Sequence, residues 1–301
     1  MRSYNLQTLR TRTALRLLLQ ATLLCLLLSR ASAADVGHYI DPYTGVRIAW
    51  LPETDMFPPG WLTPEINAKG EPLPDGEIVR SLRIVRRGMS KYPVKCLMNN
   101  LERVYVVGKL SYSGIEAGGT NGIKRVYLSN AGLEAGYTDR FIEESFHHEF
   151  SSVFLENHHD LFPETEWLRV NPPGFKYGGD PVQAVKDNKS SLELDPAYLA
   201  KGFMCQYGTS DLEDDFNTLV EKMFLGGPEF WDLVGKYPGI RKKTLLTIRF
   251  YHSMNPVFTE KYFRGLPDSA LALRKRLPPK PDEPEVHMAP SDIDSQPGKK
   301  P

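Results

Sequence analysis

Residues Thr138–Asn157 constrain the fold more than any other stretch, because they read as a single long helix that is apolar on more than one side. Thr138 is a suitable N-cap and Asp139 falls in the first turn. Phe141, Ile142, Phe146, Phe150, Val153 and Phe154 then spread around much of the surface. Such a helix has to be surrounded by other elements, so the chain must fold around it. Its middle carries Phe146-His147-His148-Glu149-Phe150-Ser151-Ser152, which embeds titratable groups in the central element.

The flanking segments supply the surroundings. Ile78, Val79, Leu82 and Val85 have helical spacing, and a second short helix is expected after Tyr92-Pro93. Arg103–Tyr112 reads as one strand and Lys124–Ser129 as another, separated by a turn cluster at Gly118-Gly119-Thr120-Asn121-Gly122. The pair is expected as a hairpin or as neighbours in a sheet. Residues 160–195 read as a long loop with short helical pieces. Asp211–Phe224 reads as a helix with Leu212, Phe216, Leu219, Val220 and Met223 on one face, and two further helices are expected around 228–234 and 238–251. The expected class is α+β, with a small sheet packed on the central helix and a helical C-terminal half beginning near Asp195. Residues 77–266 are expected to form the domain. Residues 34–76 read as a turn-rich arm contributing one strand, and 267–301 as a Pro-rich disordered tail.

The first 33 residues have the order of an export signal. Four arginines and no acid occupy the first sixteen positions, Leu17–Leu28 is apolar, and Ala31-Ser32-Ala33 offers a small-x-small cleavage pattern. The mature chain is expected to start at Ala34, outside the cytoplasm in the periplasm or beyond, with no transmembrane segment. The whole chain balances 37 basic against 37 acidic residues, which argues against a nucleic-acid binder working through a dominant basic surface. Without residues 1–33 the balance is 32 to 37. Cys96 and Cys205 would remain after export; a disulfide and two buried thiols are both compatible with the sequence.

His148-Glu149 begins like H-E-x-x-H, in which two histidines one turn apart grip a zinc ion and the Glu takes a proton from the metal-bound water. Here the fourth position after His148 is Ser152, a poor zinc ligand. Three side chains could replace the missing imidazole: Glu144, one turn before His148; His147, about 100° around the helix; and His158, ten residues on. A downstream acid is also needed for this type of site. The run Ser210-Asp211-Leu212-Glu213-Asp214-Asp215-Phe216 offers one, although acids also gather in first turns for electrostatic reasons.

Taken together, Gly119-Thr120-Asn121-Gly122, Val126–Asn130, Gly136–Asp139, His147–Ser152, Gly202-Phe203, Tyr207 and Ser210–Phe216 resemble the core of a bacterial family of exported zinc-binding metallopeptidases. That family is distantly related to the gluzincins, including the catalytic domain of anthrax lethal factor. The resemblance covers roughly Arg103–Tyr251 and implies a zincin-like domain acting on a peptide or protein substrate. It implies His148 as first metal ligand, Glu149 as general base, and Glu213 or Asp214 as the later acidic ligand. Counting from Ser210 favours Glu213, whereas counting back from Phe216 favours Asp214. Ser152 departs from the family pattern, as does Asn217-Thr218 where Ala-Glu is usual. Zn2+ is therefore the expected cofactor, at low occupancy. The competing reading is a catalytically inactive binding or structural protein that retains the fold.

Overall fold

The structure, a computed structural model, describes residues 37–266. The expected signal sequence and the expected tail, 267–301, lie outside those residues. Three short strands come first: β1 (His38–Ile40), β2 (Arg47–Ala49) and β3 (Lys69–Glu71). Two helices follow, α1 (Ile78–Met89) and α2 (Val94–Asn100). Then come β4 (Arg103–Val107), β5 (Lys109–Tyr112), β6 (Ile115–Ala117), β7 (Gly119–Gly122) and β8 (Arg125–Ser129). The remainder is helical. The central helix α3 (Asp139–Asn157) leads to short pieces α4 (Glu164–Leu168), α5 (Pro181–Lys186) and α6 (Pro196–Leu199). After them come α7 (Leu212–Leu225), α8 (Pro228–Lys236), α9 (Pro238–Met254) and α10 (Glu260–Arg264). The class is α+β, with a five-stranded sheet ordered β1-β2-β4-β8-β7 and a three-stranded sheet ordered β3-β5-β6.

Sequence and structure part company at three places in the sheets. The stretch expected to be an arm with one strand supplies β1, β2 and β3. Of these, β2 lies inside the large sheet, parallel to β4 with Ile48 opposite Val104. Alternation explains it: Ile48 and Trp50 enter the main core, while Ala49 enters a second cluster behind the sheet. So short a run between turns is too little to announce a buried strand. Secondly, the run expected as one strand breaks at Gly108 into β4 and β5, which belong to different sheets. There the chain touches the β3 segment. Gly108 N–H donates to Glu71 O at 2.9 Å, and a Cβ on Gly108 would lie 2.6 Å from Pro72 O. Thirdly, the expected turn cluster contains β7, an edge strand antiparallel to β8. Its glycine content reflects close packing. A Cβ on Gly119 would come within 2.6 Å of Glu149 Oε1.

The parallel neighbours β4 and β8 turn Val104, Val106, Val126 and Leu128 toward the helices, and Tyr105 and Tyr127 toward the second cluster. Helix α3 runs across the sheet and begins where expected, with Thr138 Oγ1 accepting from Phe141 N–H at 3.1 Å. Phe146, Phe150 and Phe154 are fully enclosed among β8, α1 and α7. The surroundings are aromatic, with Tyr92 stacked on Phe224 at 4.4 Å between centroids and Tyr251 edge-on to Phe154 at 5.4 Å. Cys96 and Cys205 are separate buried thiols.

One charged pair is sealed in the helical half. Lys243 of α9 and Asp215 of α7 meet at 2.6 Å with almost no exposure. Asp215 also accepts from Trp167 Nε1 at 2.9 Å and from Tyr177 OH at 2.6 Å. This knot fastens α4, the loop after it and α9 to α7, and so fixes the helix that faces His148. Among the described residues no helix is long and apolar enough to cross a membrane.

Candidate functional site

Helices α3 and α7 pack side by side, and their facing polar side chains form one cluster. His148 lies at its centre. Its Nδ1 is 2.9 Å from Glu221 Oε2, and its Nε2 is 3.7 Å from Asp214 Oδ1. The Tyr207 ring lies roughly parallel to the imidazole, with centroids 6.2 Å apart. Glu149 adjoins the cluster on the β7 side, against the backbone of Gly119.

Local chemistry determines which acid reaches His148. Asp211, not Ser210, caps α7, and its carboxylate accepts from Asp214 N–H at 2.7 Å. Asp214 is thereby placed in the first turn with its side chain facing α3. Glu213 sits on the exposed side of the helix. Of the two acids expected from sequence, the structure brings Asp214 to His148 and leaves Glu213 outside contact. Among the described residues, Asp214 Oδ2 is buried without a hydrogen-bond partner.

Burial of this many acids shifts their titration. Glu149 is pushed up to about 8, first by burial and then by the neighbouring Glu213, Asp214 and Glu221, with His148 opposing. Burial also raises Asp214, to about 6, against the pull of His148. For His148, burial alone would favour the neutral ring, but the facing carboxylates of Asp214 and Glu221 outweigh it and hold the imidazolium well above the usual range. A carboxyl raised on folding binds its proton more tightly in the native state, so stability falls as pH rises from its unfolded to its folded value. Metal-free protein is therefore expected to lose stability between about pH 4.5 and pH 8, and Glu149→Gln should flatten much of that slope. Chemical denaturation across that range, with chelator present, checks it. An unchanged slope in the variant would count against a protonated Glu149.

Position 152 is occupied structurally. Asn217 Nδ2 donates to Ser152 Oγ at 2.7 Å, and Asn217 Oδ1 lies 2.5 Å from Ser151 Oγ. Ser152 and Asn217 are 3% and 1% exposed, so the clamp is part of the α3–α7 interface. The three substitute ligands are engaged elsewhere. Glu144 pairs with Lys222 at 2.9 Å and with Arg140 at 3.0 Å. His147 points into the core, with Nδ1 2.9 Å from Tyr92 OH, and burial pushes it down to about 4, so the ring is neutral. His158 Nε2 lies 2.9 Å from Asn100 Oδ1, about 15 Å along the helix from His148.

Tested against a catalytic zinc site with three protein ligands, these residues fall one short. His148 and Asp214 face one another, Glu149 adjoins them, and the third corner is the Ser152–Asn217 clamp. Sequence reasoning missed Glu221, which orients His148, and Lys222, which bridges Glu221 at 3.1 Å and Glu144. Glu221 lies two turns beyond Asp214 on the same helix face, and following that face would have found it. Comparison with family models, curated proteins and solved structures finds no match for this chain.

Proposed function

We propose that this is an exported zincin-like protein that has kept the His148 cluster of a metallopeptidase site but uses the face beside it to bind an extended peptide rather than to cut one. The observation carrying this reading is the Ser152–Asn217 hydrogen bond, which commits the second ligand position to helix packing. Peptide is the favoured occupant because β7 is the edge strand of its sheet and runs beside Glu149. An added strand there would gain main-chain hydrogen bonds alongside Glu149.

A hydrolytic reading has one observation in its favour, the unpartnered Asp214 Oδ2, which a cation shared with His148 would satisfy. Mass spectrometry separates the two. The protein is incubated with zinc and a mixture of unstructured peptides. Retention of intact peptides is expected. Cleaved fragments that disappear in Glu149→Gln would replace the binding reading with the enzymatic one.

A further inference from the structure

Away from the His148 cluster, the helical half carries a group of cations drawn together by a close backbone contact. Gly202, just after α6, meets Gly239 at the start of α9 so tightly that a Cβ on Gly239 would lie 2.8 Å from Gly202 Cα. Val170 Cγ1 is close to both. The contact assembles chain segments that each bear exposed bases: Arg169 beside Val170, Lys201 beside Gly202, and Lys236, Arg241 and Lys242 around Gly239. Among the described residues none of the five has a carboxylate at ion-pair distance. Nearby acids are otherwise engaged or too far away. Glu166 is held by Arg249 and attracted more weakly by Arg169, Asp195 caps α6, and among the described residues Asp232 on α8 makes no ion pair with Lys236.

The segments that carry these bases also carry exposed apolar and aromatic side chains, beside the Glu166–Arg249 pair. Leu168 and Leu245 are 42% and 47% exposed, on α4 and α9, two helices that pack together. Lys201 lies over the Tyr198 ring at 5.8 Å and Lys236 over Tyr237 at 5.1 Å. Beneath them the Lys243–Asp215 knot makes the platform rigid. The formal charge of the whole chain is zero, so the patch is a local feature and not the outcome of a generally basic surface.

We propose that this face, formed by Arg169, Lys201, Lys236, Arg241 and Lys242 with Leu168 and Leu245, docks the protein on an anionic lipid surface. The bases meet the headgroup charges, the leucines enter the acyl boundary, and the lysine–tyrosine pairs sit at the interface between them. Exposed leucines contribute nothing to phosphate-backbone recognition, which distinguishes this face from a nucleic-acid site. The inference does not depend on what binds beside the His148 cluster.

Vesicle co-sedimentation of the exported protein tests it, comparing phosphatidylglycerol–phosphatidylcholine vesicles with vesicles of phosphatidylcholine alone. Binding is expected only to the anionic vesicles, and should fade between about 0.05 M and about 0.5 M salt as screening shortens its range. Lys201→Glu/Arg241→Glu/Lys242→Glu should lower the partition coefficient by about a hundredfold or more. The control Lys69→Glu/Lys95→Glu/Lys261→Glu makes the same change in net charge at exposed sites elsewhere and should bind like wild type. Leu168→Ser/Leu245→Ser should weaken binding without altering its salt dependence. Equal binding to both vesicle types, or equal losses in the two triple variants, would overturn the proposal. So would patch-dependent retention on an immobilised acidic polypeptide with none on vesicles, which would identify a protein partner instead.

Discussion

Ser152→His combined with Asn217→Ala should convert the His148 cluster into a zinc site. The first change places a ligand on the His148 face of α3 one turn away. By itself it must enter a site 3% exposed and already filled by the Asn217 amide. The single variant is therefore expected to lose about 1–3 kcal/mol through overpacking and to bind zinc poorly. Asn217→Ala vacates the space, and His148, Asp214 and the introduced imidazole can then close on one ion. Zinc affinity should rise more than about a hundredfold over wild type, since even an outer-shell partner is worth roughly 10- to 100-fold. Zinc titration against a chromophoric chelator measures it. If the single variant binds as tightly as the double, Asn217 is not the obstacle. If neither binds, the His148 and Asp214 geometry is not that of a metal site.

The largest effect on stability is expected at Asp215. Removing one partner of a buried ion pair leaves the other charge unmatched, at a cost of about 3–5 kcal/mol. Asp215→Ala would strand Lys243 and also the Trp167 N–H and Tyr177 O–H donors. The melting temperature should fall by about 10 °C for a domain of this size. Lys243→Met should cost less, because Asp215 keeps two donors and the Met side chain can fill the space over the Phe203 ring, where Lys243 Nζ lies 4.1 Å from the centroid. Lys243→Met with Asp215→Asn should recover most of the loss, since the amide still accepts from Trp167 and Tyr177. Calorimetry of the three variants checks this order. Equal losses would mean that charge alone, and not the donor network, holds the knot together.

The helices are the legible part of this chain. Thr138 and Asp211 cap their helices through their own side chains, and such capping is local enough to read from a few residues. The sheets are less legible because their signals are short or serve a distant partner. Gly108 looks like one residue within a strand until Pro72 appears beside it, and Gly119 like a turn residue until Glu149 does. At the His148 cluster, the pairing of His148 with Asp214 follows from the Asp211 cap, but Ser210 offers the same capping chemistry one residue earlier, and with it Glu213 would face the histidine instead. The role of Asn217 is not readable from sequence, because its meaning depends on Ser152 lying opposite it across 65 residues of chain.

Ser152 and Asn217 close the third corner of the His148 cluster, and zinc stoichiometry tests that closure most directly. Elemental analysis of gently purified wild-type protein, beside His148→Ala, is expected to find little zinc in either. One zinc per chain in the wild type, lost in His148→Ala, would contradict it and establish His148 as a metal ligand.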